Sequence, residues 1–216
     1  MTIQIKRLDL GHLYVVSKPW PVHGFVILHD TLGAVLVDTG CGGPDELLRE
    51  YRVVNRTVAG ALALHGLSPG DITMVVNTHL HFDHCGQNAA FPHAPILVQR
   101  AEHDRVFRER DEVAEWLEAS GTVFELVDGD HALADDLRLV TTPGHTVGHQ
   151  SVIATTGAGI DLFIGDAAYT RAIWDRGPDV TRLPPGQASD GDAWRRSLAE
   201  LRARAPQRVH FCHDAS

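Results

Sequence analysis

The sequence predicts an α/β (α+β) protein in one domain, residues 1–216, built from mixed β-sheets flanked by helices. Short β-branched runs crowd the first forty residues, and apolar runs then alternate with helical periodicity. No linker, low-complexity tract or short repeat divides the chain. Its 216 residues suffice to bury a sizeable core. With 44% hydrophobic and 22% charged residues, it matches an average globular protein.

The elements follow in order. His12–Ser17, Gly24–His29 and Ala34–Gly40 read as consecutive strands separated by turn residues. Pro44 opens a helical stretch that places Leu47, Leu48, Tyr51, Val54, Val58, Ala61, Leu62 and His65 on one face. "LSPGD" ends it, and Ile72–Asn77 is apolar almost throughout, as expected of a strand covered on both faces. Ala94–Gln99 reads as a strand. Ala101–Ala119 reads as one helix with Val106, Phe107, Val113, Trp116 and Leu117 inward. Further strands fall at Val123–Val127, Leu137–Thr142, Gln150–Thr156 and Asp161–Asp166. The proline- and glycine-rich loop Arg176–Asp192 ends in a Ser/Asp cap signal. Trp194, Leu198 and Leu201 form a last helix face, and Arg208–Cys212 a last strand.

Charge and cysteine content narrow the function classes. A formal net charge of −9 argues against a nucleic-acid partner. No apolar run approaches the roughly 20 residues that cross a bilayer. The N-terminal "MTIQIKRLDLG" alternates like a strand and lacks a signal-peptide core, so a cytoplasmic location is expected. Cys41, Cys85 and Cys212 cannot all pair within the chain, and no C-x-x-C occurs. They read as small space fillers rather than ligands.

The stretch "NTHLHFDHCG" packs three histidines and an aspartate into six residues, His79 to His84. Buried imidazoles and carboxylates need partners, so packing does not explain the cluster. Three later residues also end strands: His145 in "TPGHTVGH", Asp166 in "FIGDAAY" and His213 in "HFCHD". In α/β proteins, strand ends are where functional side chains gather. The candidate ligands are therefore His79, His81, Asp83, His84, His145, Asp166 and His213. Seven are too many for one tetrahedral zinc and fit two ions with a shared carboxylate. Imidazole and carboxylate donors suit zinc, and also iron or manganese. The other histidines, His12, His23, His29, His65, His93, His103, His131 and His210, have no ligand context.

The set "HLHFDH", His145, Asp166 and His213, with "LVDTG" at Leu36–Gly40, resembles the metallo-β-lactamase superfamily over almost the whole chain. That resemblance implies an αββα sandwich with a dinuclear site along one edge of two sheets. One metal would take His79, His81 and His145; the other would take Asp83, His84 and His213, with Asp166 bridging. Asp38 and His149 would orient ligands rather than bind metal. Within the superfamily, His79–His103, Thr141–Ser151 and Asp166–Thr170 are similar to the N-acyl homoserine lactonases, the quorum-quenching branch. Tyr169 stands three residues after Asp166, where those enzymes carry a tyrosine. The resemblance implies a catalytic pair, Asp83 to protonate the leaving alkoxide and Tyr169 to donate to the developing oxyanion. Phe82 and Tyr169 would face the substrate. Two departures stand out: the segment from Gly40 to Leu47 is shorter than that branch's substrate-lining stretch, and the chain stops three residues past His213, where relatives usually continue, as a fragment or a trimmed chain would.

Opening of a lactone ring, most of all that of N-acyl homoserine lactones, is thus the expected activity, with another small lactone as a variant. A thioester hydrolase resembling glyoxalase II is the main rival, but it adds a helical C-terminal region. A β-lactamase is disfavoured by His84 and by the lack of a ligand cysteine. A flavodiiron-like protein would carry a glutamate in place of His81. No G-x-S-x-G elbow, P-loop or G-x-G-x-x-G supports another chemistry. The expected partner is a small-molecule lactone, without nucleic acid or membrane, and a homodimer is left open.

Overall fold

The computed structural model describes residues 3–215. Twelve strands and six helices are seen among them. Strands β1 (Ile3–Val15), β2 (Lys18–His29) and β3 (Gly33–Val37) form an antiparallel meander. To this meander add β4 (Val54–Asn55) on one side and β5 (Ile72–Val76), β6 (Ile96–Gln99) and β7 (Phe124–Val127) on the other. The sheet order is β4-β1-β2-β3-β5-β6-β7, parallel from β3 onward. A second sheet runs β12-β11-β10-β9-β8, from β8 (His131–Ala134), β9 (Leu137–Thr141), β10 (Gln150–Thr156), β11 (Gly159–Phe163) and β12 (Arg208–His210).

Period-two alternation explains the layering. On β2 and β3, Phe25, Ile27, Val35 and Val37 turn toward Leu139, Val152 and Phe163 of the second sheet, while Val26 and Leu36 turn the opposite way. Fully buried Phe25, Leu36 and Phe163 each stabilise the fold by about 1.5–3 kcal/mol relative to exposure. The outer face of the large sheet is covered by α1 (Asp45–Glu50), α2 (Val58–Ala63), α3 (Arg100–Glu109) and α4 (Ala114–Ala119). The outer face of the small sheet is covered by α5 (Arg171–Arg176) and α6 (Gly191–Ala203), through Ile173, Trp174, Trp194, Leu198 and Leu201. The result is the expected αββα sandwich.

Two expected helices are each broken in two. The helix opened by Pro44 stops at Tyr51, and Arg52 takes a left-handed φ of 45°. The Tyr51 carbonyl then accepts the Tyr14 amide at 2.8 Å, and Val54 and Asn55 pair with the bulged edge of β1. A Cβ on Gly11 would stand 2.0 Å from the Val54 carbonyl oxygen, so this pairing needs glycine there. Thr57 starts the chain helical again, its hydroxyl accepting the Gly60 amide. The helix expected over 101–119 breaks at Arg110 (φ 53°), whose guanidinium meets Glu115 and Glu118, each at 3.1 Å. The break lets Val106 and Leu117 both reach the core. β8 and α5 were not expected from the sequence; each is short and part-exposed. No helix among the described residues is long and apolar enough to cross a membrane.

Candidate metal centre

β5 enters the core as Val75–Val76 and releases the chain at Asn77 into the loop that carries His79 to His84. This loop is fastened to the turn after β3. The Thr39 amide donates to the His84 carbonyl at 2.7 Å, the Gly86 amide to Gly40 at 2.8 Å, and the Gly42 amide to Phe82 at 2.9 Å. Asn88 spans the two loops, donating to Asn77 at 2.8 Å and accepting from Thr39 at 2.9 Å. Asp38 itself is held at φ 58°. It accepts the Thr78 amide and hydroxyl, both at 2.8 Å, and faces His84 Nδ1 at 2.9 Å.

The seven candidate ligands meet at one edge of the two sheets, just past β5, β9, β11 and β12. His79 Nε2 lies 2.9 Å from His81 Nδ1, which lies 3.0 Å from His145 Nε2. On the other side, Asp83 Oδ2 is 3.5 Å from His213 Nε2 and 3.8 Å from His84 Nε2. Asp166 stands between them. Its Oδ2 is 3.2 Å from His145 and 3.9 Å from His79, while its Oδ1 is 3.3 Å from His213 and 3.4 Å from His84. One carboxylate oxygen therefore faces each trio.

Burial and neighbouring charge divide these groups electrically. Burial, reinforced by the other histidines, holds His79 well below the ordinary imidazole value, His81 at about 4, and His145 lowered. Burial opposes charge at His84 and His213 too, but Asp166 and Asp83 outweigh it and raise both. Burial likewise opposes the Asp166 charge, and His84, His213 and His145 overcome it, so its carboxyl is held well below the usual range.

The donor set fits metal ions. His84 Nε2 and Asp166 Oδ1 are both buried, and neither has a hydrogen-bond partner. Stranding such atoms is costly unless a cation takes their lone pairs. The remaining imidazole nitrogens are oriented from behind: His145 Nδ1 donates to the Gln187 carbonyl at 3.2 Å and His213 Nδ1 to the Pro21 carbonyl at 2.8 Å. The His149 ring packs 5.4 Å from that of His79 but joins no ligand group. Its Nε2 accepts the Asp166 amide at 3.1 Å, and its Nδ1 faces the Thr142 carbonyl at 3.1 Å, so it positions Asp166 through the backbone.

A cleft of about 470 Å³ opens onto the cluster. Its apolar walls come from Leu13, Val15 and Trp20 of the first hairpin, from Tyr51 and Phe82, and from Pro184 and Pro185. Tyr51 at the end of α1 packs on the Phe82 ring at 5.0 Å and closes the wall beside the short 40–47 segment. The Tyr169 ring lies 5.6 Å from that of His145 and 5.7 Å from that of His213, edge-on to both trios. Burial pushes its phenol pKa up, so the group stays protonated and able to donate. A Cβ on Gly186 would stand 3.1 Å from its hydroxyl.

The model of the metallo-beta-lactamase superfamily matches residues 18–213. The chain belongs to the metallo-β-lactamase superfamily. An N-acyl homoserine lactonase of Bacillus thuringiensis is 31% identical over 204 residues, covering 87% of this chain and 79% of that one. One from Bacillus sp. is 32% identical over 161 residues, 67% of this chain, and the match spans only 63% of that relative's length. Among superfamily structures, a quorum-quenching N-acyl homoserine lactone lactonase superposes with a TM-score of 0.82 at 26% identity, covering 100% of this chain and 94% of that one. An N-acyl homoserine lactone hydrolase with the product N-hexanoyl-L-homoserine bound at its catalytic metal center gives 0.80 at 25% identity, covering 100% and 95%.

Every candidate site residue named from the sequence falls within or against this superfamily cluster. None of the histidines set aside joins a metal-capable group among the described residues. His29 pairs with Asp136 at 2.8 Å and His210 with Asp161 at 2.9 Å, both away from the cleft. Sequence reasoning missed Thr78, Gln187 and Glu102. Gln187 is fully buried and donates to the Asp166 carbonyl, although it lies in a stretch that reads only as a proline-rich loop.

Proposed function

We propose that this chain works as one domain, a dinuclear metal-dependent hydrolase that opens the ring of N-acyl homoserine lactones. The observation that carries this reading is the Asp166 carboxylate, which offers one oxygen to each of two trios at the foot of an apolar cleft. The named relatives, about a third identical to it, support the choice of substrate. His79, His81 and His145 would hold one ion, and Asp83, His84 and His213 the other, with Asp166 between them. Zinc suits this donor set, and iron and manganese are compatible with it. Two divalent ions bound there supply Lewis acidity toward the carbonyl and activate water at neutral pH.

The chain's own residues do the rest. The cleft walls take the acyl chain, and Phe82 orients it against Tyr51. The Tyr169 phenol donates to the lactone carbonyl oxygen, a hydrogen bond that strengthens as negative charge develops there. Asp83 carries the proton that water gives up to the ring oxygen, as the bond between that oxygen and the acyl carbon breaks.

The test compares purified protein, chelated protein and metal-restored protein on a panel of lactones and thioesters, with elemental analysis of each sample. Close to two ions per chain and ring opening that is lost on chelation and restored by zinc or manganese are expected. Activity on thioesters alone would move the protein to a different hydrolase class. One ion per chain with full activity would remove the dinuclear reading.

A further inference from the structure

Two buried carboxylates brace the cluster from behind, and only Asp38 was expected from the sequence. The other is Glu102, in the first turn of α3 and fully buried. Its Oε1 accepts the Leu80 amide at 3.1 Å and the Arg105 guanidinium at 2.8 Å. Its Oε2 accepts the Gly148 amide at 3.3 Å. Leu80 lies between His79 and His81, and Gly148 follows His145 by three residues. One side chain thus fastens together the two loops that carry all three histidines of one trio.

Packing tightens this clamp. A Cβ on Gly148 would stand 2.1 Å from the Glu102 nitrogen, so the loop lies directly against the start of α3. Burial disfavours the Glu102 charge, but Arg105 and the Leu80 amide outweigh it, and the carboxyl is held below its usual range. Arg105 is anchored in turn on Asp111, beyond the left-handed break that ends α3. The hydrogen bonds of Asp38 run to His84 directly and, through the Thr78 hydroxyl 3.1 Å from His79 Nδ1, to the first trio as well.

We infer that Glu102 is a positioning residue of the His79–His81–His145 trio, tethering its two loops through the Leu80 and Gly148 amides, whereas Asp38 touches both trios. This assignment rests on the two-ion reading above. The carboxylate form matters because it accepts on both oxygens. A glutamine accepts on only one, so either the Leu80 or the Gly148 amide would face an NH2 group. Loss of a residue that orients ligands in this way typically costs roughly 10- to 100-fold in metal affinity.

Metal-loaded protein dialysed against graded chelator, with zinc read by elemental analysis, tests this without reference to activity. The parent is measured first, and two ions per chain secures the reading on which the inference rests; one ion would overturn that reading by itself. E102Q is then placed in two backgrounds. In H213A, where the first trio is intact, it should release its ion at roughly 10- to 100-fold lower chelator. In H145A, where the second trio is intact, retention should stay within about twofold, because Glu102 makes no bond to that side. Equal shifts in both backgrounds would make Glu102 a general support of the fold, and no shift in either would leave it without a role at the cluster; both overturn the inference. Should E102Q fail to fold by circular dichroism, R105K replaces it. That variant keeps a cation beside Glu102 but loses its forked grip, and the same outcomes apply.

Discussion

His79 and His145 each meet one carboxylate within 4.0 Å among the described residues, Asp166, whereas His84 meets three: Asp38 at 2.9 Å, Asp166 at 3.4 Å and Asp83 at 3.8 Å. The first trio is therefore three imidazoles whose basicity is lowered by burial and by one another, and the second is Asp83 with two imidazoles whose basicity the surrounding carboxylates raise. Burial opposes charge in both and they share Asp166, so the difference comes from the carboxylates beside His84 and His213. The first trio offers lone pairs at once. The second must give up protons to a metal ion, and its carboxylates then face the ion instead.

The largest expected effect is the one that removes what the trios share. Asp166→Asn replaces a buried anion facing both sides with an amide, so both ions should be held less tightly and kcat/KM on homoserine lactones should fall by at least about 10²-fold. Elemental analysis together with a pH-indicator assay of ring opening reads both effects. A variant that keeps two ions and full turnover would show that the trios are held independently.

Tyr169 packs edge-on against His145 and His213 at nearly equal distances, and its proposed role is toward the substrate rather than the ions. For Tyr169→Phe a drop in kcat of roughly 10- to 100-fold is expected with metal content unchanged, the loss of one oxyanion donor being softened where a metal shares the oxygen. Loss of metal in this variant would turn the tyrosine into a support for the histidines it packs on. Unchanged kcat would reduce it to packing.

The electrical contrast itself has a pH signature. His84 and His213 hold protons to higher pH than an ordinary histidine, near 6.5. From that value upward, ion binding by the second trio must displace them, and its affinity should climb by up to about tenfold per pH unit for each proton released. His81 at about 4, with His79 and His145 also lowered, is already neutral there, so the first trio should respond little. Zinc affinities of H145A and H213A measured across this range make the comparison. Equal slopes would mean that the carboxylates around His84 do not set its charge.

Cys212 sharpens the contrast with the smallest effect. Its thiol lies 3.8 Å from Asp38, and burial pushes its pKa up to about 12. The thiol is turned to Asp38, behind His84, rather than to Asp83 or Asp166, and it should not join the second trio. Cys212→Ala should retain both ions and activity within about threefold, comparable to a small cavity beside Asp38. A lost ion would make it a ligand.

Much of this molecule could be read from the residues in order. The seven candidate ligands were legible because they end strands and cluster in short loops, where buried imidazoles have no packing reason to be. Mixed sheets flanked by helices followed from the residue pattern, and the αββα class from the family resemblance. Broken helices were not legible. Arg52 leaves helical geometry where the distant β1 edge claims Tyr51, Val54 and Asn55, a partner outside any local window, and Arg110 leaves it with Glu115 and Glu118 on its guanidinium. Glu102 was equally hidden, since its amide partners lie 22 and 46 residues away. Local pattern and residue chemistry are properties of neighbours along the chain, so the sequence by itself determined most strands, their ends and the candidate donor set. Which oxygen of Asp166 faces which trio, which histidines keep their protons, and which carboxylate braces which loop depend on groups brought together from distant segments, and only the tertiary structure decided them.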